Sequence, residues 1–319
     1  MAATVHPKKV RLGIGDDAAV WKPSRSAESV ITTDALVEGV HFTREGIGAE
    51  DTGHRALASN LSDIAAMGAR PVLATIALGV AQPVDEHWIL DCYRGIARLA
   101  KRTGTAIVGG DIVSAPALML SITVIGEVRP SHRKTRSGAR PADVLAVTGP
   151  LGASRAGLEI ALDRPDLGID PRFASALRAY RAPEPRLREG LRFGALRNVH
   201  AMMDLSDGLS TDVRRLCAAS GVGAIVDRDA IPIAESARAL GDLVGLDPLA
   251  YALDGGEDFE LLVAVAPRAF PHVAKRYVKS FGRPLHRIGT VTEGSSVTLR
   301  NGERARELVS AGWDHLRER

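Results

Sequence analysis

Acidic residues recur beside glycine, serine or threonine along this chain: Gly15-Asp16-Asp17, Thr32-Thr33-Asp34, Asn60-Leu61-Ser62-Asp63, Gly109-Gly110-Asp111, Asp204-Leu205-Ser206-Asp207-Gly208 and Gly255-Gly256-Glu257-Asp258. Carboxylates gathered with no lysine or arginine between them repel one another unless a cation neutralises them. Hard oxygen donors of this kind suit Mg²⁺, which binds few carboxylates, keeps some of its water and takes its other oxygens from phosphates. Glycine beside an acid leaves room for a ligand to approach the backbone. The residue types therefore point to metal-assisted phosphate chemistry.

Taken singly, each motif also has a plainer reading. Asp16-Asp17 suits a turn, Asp34 can cap the turn after a strand, and Asp111 can be a turn acid. Asp63 can lie on the solvated stripe of a helix, although Leu61, Ile64, Ala65 and Ala66 surround it. Ser206 or Asp207 can serve as a helix N-cap; Asp204 is not needed for that cap, which favours a functional role for it. Glu257-Asp258 can be a surface turn, His41 a structural histidine, and Trp313 a residue that packs the tail. Gly149–Ser154 is a possible phosphate cradle, but such strand-to-helix turns are common.

The elements that must position these residues alternate between strand and helix. Ser29–Thr33 reads as a strand leading to Asp34, and Glu50–Met67 as a helix with Leu57, Leu61, Ile64 and Ala65 on one face. Asn60 and Asp63, three apart, are neighbours on that helix. Pro71–Val80 reads as a buried strand, and Asp85 as the N-cap of a helix with Ile89, Tyr93, Ile96, Ala97 and Ala100 on its apolar face. Ala106–Val108 is expected as a short strand ending in Gly109-Gly110-Asp111, and Leu118–Val128 as another strand. Later come Val144–Thr148, Val199–Met203 delivering Asp204, a helix marked by Leu209, Val213, Leu216 and Cys217, and strands at Phe259–Val265, Arg287–Val291 and Val297–Arg300. The interleaving implies two α/β domains in tandem, 1–137 and 138–319, divided in the basic, proline-containing stretch Arg129–Pro141.

Composition narrows the function classes. A net charge of +3 over 319 residues gives no argument for nucleic acid. No apolar run is long enough to span a membrane and the start is not a signal peptide, so a cytoplasmic location is expected. Cys92 and Cys217 fall inside helical patterns and suit a core, with no zinc spacing. There is no G-x-x-x-x-G-K-[ST] loop, no protein-kinase motif set and no G-x-S-x-G elbow. ATP, if used, must be held largely through metal-bridged phosphates.

In order and together, the motifs resemble the thiamine-monophosphate kinase family of the aminoimidazole-ribonucleotide-synthetase-like superfamily. The matching residues are Gly13–Asp17, Thr32–Asp34 with Gly39–Phe42, Ala58–Gly68, Gly109–Asp111, Thr135–Ala139, Asp204–Leu209, Gly255–Leu261 and Gly312–His315, spanning Leu12 to Leu316. The resemblance implies a mixed α/β (α+β) two-domain synthetase-like fold. In it, N-terminal-domain strands pair across a homodimer to close a barrel, and a C-terminal α/β domain completes the active site. It implies ATP-dependent phosphorylation of thiamine monophosphate to thiamine diphosphate, with several Mg²⁺ ions and no catalytic base. Carried over by position, Mg²⁺ ligands fall on Asp17, Thr32, Thr33, Asp34, Asp63, Asp111, Asp204 and Asp207. ATP contacts fall on Gly110, Asp111, Arg136 and Ser206, and thiamine-phosphate contacts on His41, Glu257 and Trp313. Asp16 and Asp258 receive no role. The sequence departs from the family in having only about a dozen residues ahead of Gly13, and in tryptophan at the stacking position. Another ATP-using member of the superfamily, or a non-catalytic nucleotide- or metal-binding relative, is the alternative.

Overall fold

The computed structural model describes residues 9–83, 85–310 and 312. The chain divides into two compact units, 1–133 with 181–187 and 134–180 with 188–319.

The first unit begins with a small antiparallel pair, β1 (Val10–Leu12) and β2 (Val20–Trp21). There follow β3 (Glu28–Val37), α1 (Ala49–Ala66), β4 (Arg70–Val80), α2 (Glu86–Thr103), β5 (Ala106–Ser114) and β6 (Met119–Val128). Their sheet has the order β3-β6-β4-β5. β4 and β5 run parallel, joined through α2 as a parallel pair requires, and β6 is antiparallel to both β3 and β4. Helix α1 forms where its apolar spacing placed it, burying Leu57, Leu61, Ile64 and Ala65 and packing on α2, β3 and β6. Asp85 caps α2 by accepting from Trp88 N at 3.1 Å, and Gly104 closes it in the left-handed conformation. The face of the sheet turned from α1 is open: Ile31 is 66% exposed, and Thr33, Ala35, Thr75 and Ala77 are exposed too.

Two strands outrun their sequence signals. β3 continues to Val37, so Asp34 lies in mid-strand opposite Ile122 rather than at a strand end. Ladder bonds are made by the backbone, and an acid on a half-buried face does not interrupt them. β5 continues through Gly109-Gly110-Asp111 to Ser114, with a register skip between Ile107 and Gly109 that leaves Val108 as an extra residue.

The second unit contains β7 (Val144–Val147), α3 (Ala153–Asp163), β8 (Val199–Asp204), α6 (Leu209–Ser220), β9 (Gly223–Asp227) and α7 (Glu235–Val244). After them come α8 (Leu249–Asp254), β10 (Leu261–Val265), α9 (Phe270–Phe281), β11 (His286–Thr292), β12 (Val297–Asn301) and β13 (Arg304–Glu307). Helices α4 (Ala174–Arg181) and α5 (Leu187–Gly194) flank the segment that returns to the first unit. The strands form one mixed sheet in the order β13-β12-β9-β11-β7-β10-β8, in which β9 and β12 are the parallel pair. Every residue of β10 is buried, as its unbroken apolar run implies for a strand covered on both faces. Its Leu262 shares a core with Leu145, Met203, Leu209, Val213, Leu216 and Cys217.

Both cysteines are reduced and buried, and burial pushes the Cys92 thiol up to about 12 and that of Cys217 to about 11. Thiols held neutral in this way are inert. Among the described residues no helix is long and apolar enough to cross a membrane.

Candidate active site

In the first unit the site grows from the packing of α1 on β3. Asp63, half-buried on α1, accepts a hydrogen bond from Thr32 Oγ1 at 2.5 Å. Asp34 is two residues along β3 from Thr32 and therefore shares its face. Thr33 is turned to the open face, where its hydroxyl donates to the Ile122 carbonyl at 3.2 Å and meets Thr123 Oγ1 at 3.1 Å. Asn60, one turn before Asp63 and fully buried, donates from Nδ2 to the Ala56 carbonyl at 3.1 Å, while its Oδ1 has no hydrogen-bond partner. The oxygens of Asn60, Thr32, Asp34 and Asp63 are hard donors of the kind Mg²⁺ takes.

Asp16 and Asp17 occupy an exposed turn after β1, in which Asp16 Oδ1 accepts from Asp17 N at 2.8 Å. Asp16 thus serves the turn. Asp111 is exposed on β5, one register row beyond the row that holds Asp34, and accepts from its neighbour Ile112 N at 2.9 Å. Gly110 allows β5 to approach there: a β-carbon would lie 2.0 Å from the Ile76 carbonyl oxygen. His41 Nδ1 accepts from Val37 N at 3.1 Å, so the proton of the neutral ring is on Nε2. Its carbonyl accepts from Arg55 Nη1 at 3.2 Å.

In the second unit β8 delivers Asp204, 2% exposed, at its last position. The turn that follows is not capped as its sequence suggested. The N-cap of α6 is Gly208, at φ 98°, and no side chain caps the helix. Instead Asp212, buried on the first turn of α6, reaches back so that its Oδ2 accepts from both Ser206 N and Asp207 N at 3.0 Å. Arg215, one turn further on, donates from Nη1 to the carboxylates of Asp207 and Asp212. Burial pushes Asp212 up to about 6, helped by the Asp207 charge and opposed by Arg215 and the two amides. Asp212 is inconspicuous in the sequence because an acid in a first helical turn is ordinary; its position among the apolar residues of α6 is the available signal.

The segment Gly255–Glu260 runs beside this turn. Glu257 N donates to Ser206 O at 2.7 Å, and both Glu257 (φ 55°) and Phe259 (φ 49°) hold left-handed backbone that costs a non-glycine residue roughly 1 kcal/mol each. Gly312 closes against the same turn, where a β-carbon would lie 1.9 Å from the Asp207 carbonyl oxygen. Trp313 lies outside the described residues. Arg136 is exposed on a loop whose backbone is pinned by one hydroxyl: Ser220 Oγ donates to Arg136 O at 2.9 Å and accepts from Gly138 N and Ala139 N at 3.2 and 3.1 Å. Among the described residues, no three His, Cys, Asp or Glu side chains gather closely enough to hold a metal ion by themselves.

Asp258 is no surface turn. Its carboxylate accepts from Gly152 N at 2.7 Å and Ser154 N at 3.3 Å, filling the N-terminus of α3. The Gly149–Ser154 cradle is therefore already filled, by a carboxyl group of the protein's own. Burial pushes Asp258 from the ordinary 3.8 up to about 7 against the pull of those amides. A carboxyl that keeps its proton when folded contributes stability fully present below pH about 4 and lost as the pH rises through about 7. Asp258→Asn, which cannot titrate, is expected to flatten the decline of stability between pH 5 and 7. The change in slope should approach about 1.4 kcal/mol per pH unit, read from urea midpoints. Parallel slopes in the two proteins would show that Asp258 is ionised throughout.

Residues 15–128 match the N-terminal domain, and residues 140–301 the C-terminal domain, of AIR synthase related protein. The fold and the acid-bearing strands and turns therefore belong to an AIR synthase related enzyme. The thiamine-monophosphate kinase of Bacillus subtilis (strain 168) is 35% identical over 98% of this chain and 96% of its own. The crystal structure of thiamine-monophosphate kinase from Stenotrophomonas maltophilia K279a superposes with a TM-score of 0.83 at 35% identity, covering 92% of each chain. AaThiL complexed with AMPPCP and TMP superposes at 0.80 with 30% identity, over 92% of this chain and 89% of that one. Within the AIR synthase related proteins, the chain belongs to the thiamine-monophosphate kinase family.

Proposed function

We propose that the enzyme transfers the γ-phosphoryl group of ATP directly to thiamine monophosphate, giving thiamine diphosphate and ADP. A terminal phosphate oxygen of thiamine monophosphate attacks the γ-phosphorus in line, and the bond to the β–γ bridging oxygen breaks with its electron pair leaving on ADP. That oxygen is already ionised near neutral pH, so no side chain need act as general base. Mg²⁺, when bound, neutralises the two mutually repelling anions and aligns attacking and leaving oxygens.

The chain's own part is to hold and orient. Asp17, Thr32, Thr33, Asp34, Asp63, Asp111, Asp204 and Asp207 are the assigned metal ligands. Thr33 is the weakest of them, because its hydroxyl is engaged on the open face of the sheet. Gly110, Asp111, Arg136 and Ser206 take ATP, Arg136 adding a fixed positive charge to the phosphates. His41, Glu257 and Trp313 take thiamine phosphate, with the indole stacking on a flat ring. The observation that carries the reading is the Thr32–Asp63 contact beneath mid-strand Asp34, with the unpaired Asn60 Oδ1 one turn away. The complex of a family relative with AMPPCP and TMP supports the pair of substrates.

A coupled assay of ADP release with Mg-ATP is expected to show turnover with thiamine monophosphate but not with thiamine or formylglycinamidine ribonucleotide. Turnover only with another acceptor would place the chain with a different ATP-using branch of the superfamily. Mg-ATP binding without ADP release would mark a non-catalytic relative.

Residues 1–137 are assigned to ATP and Mg²⁺ binding and to a homodimer, and 138–319 to completing the site, in a cytoplasmic enzyme. The open face around Ile31, Thr33 and Ala35 supports the dimer, since an apolar strand face of this kind calls for a cover. Light scattering is expected to give twice the chain mass, and Ile31→Glu to give a monomer. A monomeric wild type at micromolar concentration would sink the dimer.

A further inference from the structure

The Asp204–Asp207 turn is held by side chains to which the reading above gives no role. A helix N-terminus normally spends a carboxylate on its own first amides. Here the arrangement is reversed: Asp212 points out of α6 towards the preceding turn and ties down two consecutive amides, those of Ser206 and Asp207, with one oxygen. Its other oxygen accepts from Arg215 at 3.2 Å, and the same Nη1 of Arg215 grips the Asp207 carboxylate. Asp212 is 0% exposed, whereas Arg215 and Asp207 have side chains 43% and 24% exposed. The buried member of the trio is thus fixed, and the pair it organises stands at the surface.

We propose that Asp212 is a positioning residue for the Ser206–Asp207 turn, and that Arg215 is a stand-in cation that occupies the Asp207 carboxylate until a divalent ion takes it. The inference rests on the assignment of Asp207 as a metal ligand. An acid meant for a metal must be kept from repelling its neighbours while the metal is away. Arg215 supplies a positive charge that water still reaches, and so one that a divalent ion can displace. An exposed pair of this kind is weak, so the competition is mild by construction.

The two residues therefore predict opposite effects on metal binding, which a merely structural role would not produce. The test is direct titration of Mn²⁺ with the non-hydrolysable nucleotide present, followed by water-proton relaxation, on wild type, Arg215→Met and Asp212→Asn. Arg215→Met is expected to bind Mn²⁺ roughly 2- to 5-fold more tightly, as the loss of an exposed ion pair implies. Asp212→Asn keeps the shape but offers one acceptor oxygen in place of two and no charge. It is expected to bind Mn²⁺ more weakly and to raise the KM for Mg-ATP more than it lowers kcat. Amide exchange at Ser206 and Asp207 should quicken in Asp212→Asn and stay unchanged in Arg215→Met. If both variants bind Mn²⁺ more weakly, the pair is structural only and the stand-in role is overturned. Slow exchange at both amides in Asp212→Asn overturns the positioning role. Failure of the wild type to bind Mn²⁺ at all strikes instead at the metal assignment beneath the proposal, while the exchange measurement still stands or falls on Asp212 alone.

Discussion

Asp34→Asn is expected to lower kcat by about 10²- to 10³-fold, the scale on which the loss of one preorganised electrostatic group at a transition state acts. His41→Ala should instead act mainly on the KM for thiamine phosphate and leave kcat within about tenfold. Asparagine fits β3 without disturbing it, because the ladder to Ile122 is made by the backbone and the side chain keeps its shape. What it removes is a negative charge on the Thr32 face of β3 and, on the proposed metal assignment, a share in a divalent cation. ATP and thiamine monophosphate are both anions, so a lost neutralising charge raises the barrier more than it weakens the encounter. His41 is different: its Nδ1 already accepts from Val37 N, and only the Nε2 side can serve a substrate. Asp207→Asn should match Asp34→Asn in kcat, with an added small loss of stability from the Arg215 pair. Steady-state kinetics on variants whose circular dichroism matches wild type decides it. Equal and small losses at Asp34, Asp207 and His41 would sink the metal account.

Which parts of this were legible in the sequence follows from which interactions are local. α1, α2 with its Asp85 cap, and α6 were readable because apolar spacing and capping operate within a few residues. β8 delivering Asp204 was readable for the same reason. The β-branched stretch Ser29–Thr33 puts Asp34 at a strand end, whereas the partner strand β6 carries the ladder past it. Gly109-Gly110 reads as a turn that ends β5, whereas the strand runs on and Gly110 permits its close approach to β4. Asp258 reads as a turn acid in the sequence because its partners, the amides of Gly152 and Ser154, lie more than a hundred residues away. The left-handed backbone at Glu257 and Phe259 had no glycine to announce it, and only the surrounding bonds impose it. The acid-bearing motifs were thus legible in the sequence, but not the residues that hold them in place.

Those holding contacts include a buried ion network whose loss should be the most destabilising single change in the second unit. Arg283, just after α9, donates from Nη2 to Glu189 at 2.7 Å and from Nη1 to Glu260 at 3.2 Å. Glu260 also accepts from Thr148 Oγ1 at 2.5 Å, and Thr148 in turn accepts from Leu261 N at 2.7 Å through its hydroxyl and from Tyr277 OH at 3.0 Å through its carbonyl. The network thus ties β7 to the corner that holds Glu257, Asp258 and Phe259. Arg283→Met keeps much of the aliphatic stem but leaves two carboxylates, with side chains 4% and 10% exposed, facing each other without a cation. Breaking one side of a buried pair costs about 3–5 kcal/mol, far above the exposed pairs elsewhere on this chain. For a chain of this length that corresponds to a fall of about 10 °C in the calorimetric melting temperature. Adding Glu260→Gln to Arg283→Met removes one of the stranded charges and should recover part of the loss, since residues in one network do not add. A single-variant loss below about 1 kcal/mol would mean that water reaches these carboxylates and that the left-handed corner at Glu257 does not depend on the network.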